Sequence, residues 1–128
     1  MSEIGMRRRV AGRYEEVLAR LPEVLKAEGF GVLTRIDVQQ TLKEKLGVAF
    51  RRYQILGACN PSLALQALTA ELGAGAMLPC SVAVWEGDDG AVTVNAVDPL
   101  QTIAAAAPAL SPLAGQVRER LARAIAAL

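Results

Sequence analysis

The sequence predicts an α+β domain built as an antiparallel sheet of about five strands with helices packed on one face. Three observations carry that prediction. Apolar residues alternate in five short runs, as half-buried strands require. Between and after those runs they recur at helical spacing, and Asp89-Gly90 joins the last two runs as a hairpin turn does. The 128 residues are 52% hydrophobic and 21% charged. A chain of that length buries about two thirds of its unfolded surface, enough for a core without disulfide or metal support. No internal repeat, low-complexity tract or linker divides it, so residues 1–128 read as a single domain.

The first strand runs from about Ile4 to Val10. Tyr14, Val17, Leu18, Leu21, Val24 and Leu25 then form one helical stripe, with Gly29 placed to end the helix. Pro22 lacks the amide that would bond to Leu18, which predicts a kink or a restart between two short helical pieces. Phe30 to Val38 alternates, with Val32, Thr34, Ile36 and Val38 on one side and Leu33, Arg35 and Asp37 on the other. Asp37 doubles as the cap of a short helix reaching Leu46. Gln40 stands at the reciprocal capping position, and Gly47 closes the segment.

A strand from about Phe50 to Cys59 sets Tyr53, Ile55, Gly57 and Cys59 on one face and Leu56 and Ala58 on the other. Asn60-Pro61 starts the next helix, because Asn caps free amides and Pro gives up an amide that was unpaired anyway. Leu63, Ala64, Ala67, Leu68 and Leu72 continue it. Met77 to Glu86 reads as a strand with Leu78, Cys80, Val82 and Val84 on one face, and Pro79 inside it predicts an edge position or a bulge. Gly87 to Gly90 turn the chain into a strand from Ala91 to Val97. Asp98-Pro99 and Ser111-Pro112 announce two C-terminal helices. In the last, Leu113, Val117, Leu121, Ala124, Ile125 and Leu128 lie opposite Arg118, Glu119, Arg120 and Arg123. Helices cover one sheet face, so the other is solvated or buried against something else.

Composition excludes several function classes. The chain has no histidine, which removes Ser-His-Asp and Cys-His catalysis and every His-containing metal site. Fourteen basic against 13 acidic residues, with two Phe, two Tyr and one Trp, argue against a nucleic-acid partner. No apolar run is long enough for a membrane span, and no secretion signal is visible around Arg7, Arg8 and Arg9. Two cysteines fit a reducing compartment, so the expected location is the cytoplasm.

Cys59 is the first candidate for chemistry, because it precedes the Asn60-Pro61 helix start, where free amides and the helix dipole favour a thiolate. A buried, inert cysteine is the competing explanation, and Cys80 shares it. If the strand ending at Cys59 pairs antiparallel with the one beginning near Met77, the two thiols become neighbours. A reversible disulfide or a soft-metal pair would then be open to them, yet two thiolates supply only half a tetrahedral zinc site. No cofactor or metal is expected. Asp37, Lys43, Lys45, Arg51 and Tyr53 lie near strand ends and would form an anion-binding cluster if those ends converge, with Asn60 a further ligand-binding candidate. As a short charge run, Lys43, Glu44 and Lys45 equally suit an exposed helix face.

The runs Glu28 to Thr34 with Ile36-Asp37-Val38, and Thr41 to Gly47, carry a resemblance. Tyr53 to Pro61, Leu78-Pro79-Cys80 and Ala96-Val97-Asp98-Pro99 extend it. From about Met6 to its end the chain resembles the small prokaryotic domain-of-unknown-function family 302. That resemblance implies a TATA-binding-protein-like α+β fold and homodimers, and supplies no activity, substrate or catalytic residue. Shared fold does not transfer DNA binding. Ser62, Leu65 and Ser81 depart from the proline, histidine and asparagine expected there, which puts any site built on that histidine or asparagine in doubt.

The expected function is therefore a cytoplasmic homodimeric module that binds a small ligand or serves as an accessory, its second sheet face buried against a copy. The alternative is a thiol-dependent redox or sulfur-handling protein using Cys59 with Cys80. Metal binding at the same two thiols is the weaker alternative.

Overall fold

The computed structural model describes residues 3–128. Chain order is β1 (Met6–Val10), α1 (Tyr14–Ala27), β2 (Gly31–Asp37), α2 (Val38–Leu46), β3 (Tyr53–Cys59), α3 (Pro61–Ala70), β4 (Cys80–Glu86), β5 (Val92–Ala96), α4 (Ile103–Ala106) and α5 (Ser111–Ala126). Short 3-10 turns span Leu72–Met77 and Pro108–Leu110. The strands form one sheet in the order β1-β5-β4-β3-β2, and every neighbouring pair is antiparallel.

Alternation decides what the sheet buries, except where a bulge at Leu33 breaks it in β2. The bulge sets Val32 beside Ala58 on the buried side and Thr34 and Ile36 beside Gly57 and Ile55 on the other, instead of all three on one side. Leu56, Ala58, Val82, Val84, Val92, Val94 and Ala96 all face one side and are completely buried. Against them pack Val17, Leu21 and Leu25 of α1 and Leu121 and Ala124 of α5. Each fully buried Leu or Val contributes about 1.5–3 kcal/mol relative to exposure, so this shared core holds both helices on the same face. The remaining positions, among them Arg7, Tyr53, Ile55, Ala83, Trp85 and Asn95, face the opposite side, where no helix of this core lies.

Several local expectations are corrected. Helix α1 continues through Pro22 without restarting; Leu21 and Leu25, on either side of the proline, are fully buried in one core and hold the two halves together. Asp37 does cap α2, accepting from the Gln40 amide at 3.0 Å, but the Gln40 side chain donates forward to Glu44 instead of returning to the cap. Gly47 closes α2 in the left-handed region, at φ 66°. The strand expected from Phe50 begins only at Tyr53, because the segment after Gly47 crosses from the end of α2 to the sheet and Gln39 holds the Phe50 carbonyl.

Pro79 lies neither at a sheet edge nor in a bulge. It sits immediately before β4, an interior strand whose ladder would lose a bond to a proline within it. Its ring packs over Gly57, where a Cβ would lie 2.8 Å from Pro79 Cγ and 2.6 Å from Thr34 Cγ2. Helix α3 ends at Ala70, leaving Leu72 exposed in the following turn. Asp98 caps a turn, accepting from the Leu100 amide, and the helix expected there shrinks to α4. Ser111 does not cap α5; its hydroxyl donates to the Pro108 carbonyl from within the first turn. No helix among the described residues is long and apolar enough to cross a membrane.

Candidate functional site

The sheet face away from the helices carries a graded surface. Tyr53 and Trp85, directly paired on β3 and β4, stack with ring centroids 5.4 Å apart and planes 8° from parallel. The Arg7 guanidinium lies 5.4 Å from the Trp85 ring centroid, a cation–π distance. Ile55 and Ala83, also paired, extend the apolar strip. Phe50, Ile36 and Leu33 remain substantially exposed beside it.

Beyond Tyr53 and Ile55 this face deepens into a trough of about 540 Å³, a volume suited to a small ligand. Its floor is Ile55 and Ala83, and its polar groups come from Ser81, Asn95, Gln101 and Thr102. Asp98 also borders it, but both its carboxylate oxygens are committed: Oδ1 accepts from the Leu100 amide at 2.9 Å and Oδ2 from Arg118 Nε at 3.1 Å. The segment Glu3–Gly5 forms one wall. The Asn95 Oδ1 is buried with no hydrogen-bond partner among the described residues. An unpaired buried acceptor costs about 1–3 kcal/mol, so the trough holds unused hydrogen-bonding capacity.

The two cysteines lie elsewhere. Cys59 pairs with Gly31 and Ala58 pairs with Cys80, so the thiols occupy neighbouring strands one position apart. The pleat sends consecutive residues to opposite faces. Cys80 belongs to the buried side, with Val82 and Val84, while Cys59 alternates with Ala58 on the other. Both are unbridged. They border a small, apolar, partly open cavity of about 40 Å³ under α3 and α5, lined by Phe30, Leu63, Ile103 and Val117. Such a space admits about three water-sized groups at most. Burial, with Cys59 adding to it, pushes the Cys80 thiol up to about 11, so at neutral pH it is a protonated and weak nucleophile. Among the described residues no three His, Cys, Asp or Glu side chains are grouped to hold a metal ion.

The charged candidates do not converge. Asp37 and Lys43 border a shallow depression beside α2, where the Asp37 carboxylate is engaged as a cap. Arg51 lies at the hairpin end, paired with Asp88 at 3.0 Å and donating to the Glu86 carbonyl. Tyr53 belongs to the open face, and Asn60 caps α3 through Oδ1 while bordering the cysteine cavity. The candidates therefore fall in four separate places instead of one anion site.

An unforeseen cluster stands at the start of β3. Arg52 pairs with Glu15 of α1 and with Glu86 of β4, the latter at 2.9 Å, and its guanidinium lies 4.6 Å from the Tyr14 ring centroid. Burial first, then the Asp37 charge, pushes the Tyr14 phenol up to about 12. The two carboxylates hold Arg52 above its ordinary range, and Arg52 in turn lowers the Glu15 carboxyl. This is a clamp between helix and sheet, with its polar capacity spent internally.

The sequence reading also passed over Trp85, Asn95 and Gln101, and gave Arg7 no place beside an aromatic ring. The period-2 pattern that put Cys80 inward implied that Trp85 faced outward, which was the available signal. Asn95 and Gln101 gave none, since their partners Ile4 and Glu3 lie 91 and 98 positions away.

Comparison with known proteins agrees with this architecture. A family model described as a domain of unknown function, DUF302, matches residues 6–128. Among solved structures the chain is similar to an uncharacterised conserved DUF302 protein from Bacillus stearothermophilus, with 33% identity, 96% of each chain covered and a TM-score of 0.88. No curated protein matches the chain.

Proposed function

The chain belongs to the DUF302 family, and on that premise we propose that it is a homodimeric binding module whose working surface is the open sheet face. A second copy covers the apolar strip around Tyr53, Ile55 and Trp85, and a small ligand occupies the adjoining trough. One observation carries this reading: a single face combines an uncovered apolar strip with a polar-rimmed trough of about 540 Å³. A self-complementary patch is what a two-fold dimer requires. The TATA-binding-protein-like arrangement implied by the family resemblance belongs to the same proposal, as does a cytoplasmic location, which two unbridged thiols favour.

The mass in solution tests it. Light scattering at high micromolar concentration should return twice the 13.5 kDa of one chain; a clean monomer there removes the dimer.

A thiol-dependent reading keeps one supporting observation, that Cys59 is partly exposed and directly precedes the capped start of α3. The raised Cys80 pKa counts against a reactive pair at neutral pH. Thiol titration at neutral pH decides it: rapid modification of Cys59 supports the reading, and a native protein with no reactive thiol ends it.

A further inference from the structure

Two side chains of the trough grip three main-chain groups of the Glu3–Gly5 segment. Gln101 accepts the Gly5 N–H through Oε1 at 2.8 Å and donates from Nε2 to the Glu3 carbonyl at 2.7 Å. Asn95 Nδ2 donates to the Ile4 carbonyl at 3.1 Å. A carboxamide that accepts and donates at once fixes the direction of the chain it holds. The segment's middle side chain takes no part in this grip, since Ile4 is 81% exposed. Recognition is of main chain.

Sequence enters at one position. Gly5 has φ +75°, and a Cβ there would lie 2.7 Å from the Ala96 carbonyl oxygen and closer still to Asn95 Oδ1. Only glycine meets both the conformation and the space. The Asn95 Oδ1 in the same place has no partner, so the resident segment leaves part of the site's hydrogen-bonding capacity unused.

We propose that the Asn95–Gln101 end of the trough is a main-chain recognition site that the protein fills with its own Glu3–Gly5 segment, and for which a peptide competes when the third of its three gripped residues is a glycine in the left-handed conformation. This rests on the trough being a binding site and names its ligand class. The resident segment then acts as an internal competitor, and ligand binding requires its release.

The test uses the full chain. Gly5→Ala expels the resident segment, and the side-chain amide signals of Asn95 and Gln101 are followed by NMR as a capped Ser-Glu-Ile-Gly-Met peptide is added. The expected result is a saturable shift in Gly5→Ala, little response in the wild type, and binding about tenfold weaker for Ser-Glu-Ile-Ala-Met, which lacks the glycine fit. No shift in Gly5→Ala, or equal binding of the alanine peptide, overturns the proposal. Acetamide moving the same signals as strongly as the peptide overturns the main-chain assignment but leaves the trough a binding site. A second variant guards against misfolding: Gln101→Ala should speed exchange of the Gly5 amide by about tenfold while Val94 in the core is unchanged. Unchanged Gly5 exchange removes the grip itself.

Discussion

Tyr53 and Trp85 lie opposite one another on β3 and β4, their rings 5.4 Å apart and nearly parallel on the sheet face away from α1 and α5. Stacked pairs of this kind are worth about 0.5–1.5 kcal/mol beyond the area they bury. A double-mutant cycle with Tyr53→Ala and Trp85→Ala, read by urea unfolding, should therefore return a coupling of about 0.5–1.5 kcal/mol. Additive losses would show that the rings merely share a surface.

Cys80 predicts a loss of stability in alkali. Its pKa rises from 9.0 in the unfolded chain to about 11 in the fold, so the unfolded state releases its proton first as pH climbs. Stability is intact below pH 9.0, falls between 9.0 and about 11, and levels off above that for this group. The total is about 2–3 kcal/mol. Cys80→Ala should flatten this part of the stability-against-pH curve, although Tyr14, raised from 10.0 to about 12 by burial, continues the decline at higher pH. An identical slope with and without Cys80 would contradict the buried-thiol assignment.

Gly57 should tolerate no side chain. A Cβ there would press on Thr34 and Pro79 at 2.6 and 2.8 Å, and overpacking of this kind costs about 1–3 kcal/mol. Chemical denaturation of Gly57→Ala measures it, and wild-type stability would mean that Pro79 moves aside freely.

Asp98 anchors the loop that walls the trough. Asp98→Ala removes an acceptor from both the Leu100 amide and Arg118, and a loss of about 1–3 kcal/mol is expected in urea. Arg118→Ala should cost less, since that side chain is half exposed while Asp98 is largely buried. The reverse order would show that the ion pair outweighs the turn.

Much of this fold was legible because alternation and capping are local. The Asn60 and Asp37 caps, the Gly47 stop and the Asp89-Gly90 turn each act within a few residues, and all stand where the chain chemistry put them. Pro22 and Pro79 misled for a shared reason. Their effect depends on what lies beside them: buried Leu21 and Leu25 in one case, an interior strand beginning one residue later in the other. Alternation set Cys59 apart from Leu56 and Ala58 and put Cys80 with Val82 and Val84, but whether their strands pair was left conditional, because strand pairing is tertiary. The Asn95–Gln101 grip was invisible because it joins the two halves of the sequence through side-chain amides that leave no periodic trace.

The open sheet face as a dimer surface is tested most directly by placing a charge at its centre. Ile55 lies between the aromatic pair and the trough, and its side chain points away from the core. The wild type should scatter light as a dimer, and Ile55→Glu, with unchanged circular dichroism, as a monomer of 13.5 kDa. A folded Ile55→Glu that remains dimeric would place the contact on another surface and contradict the assignment.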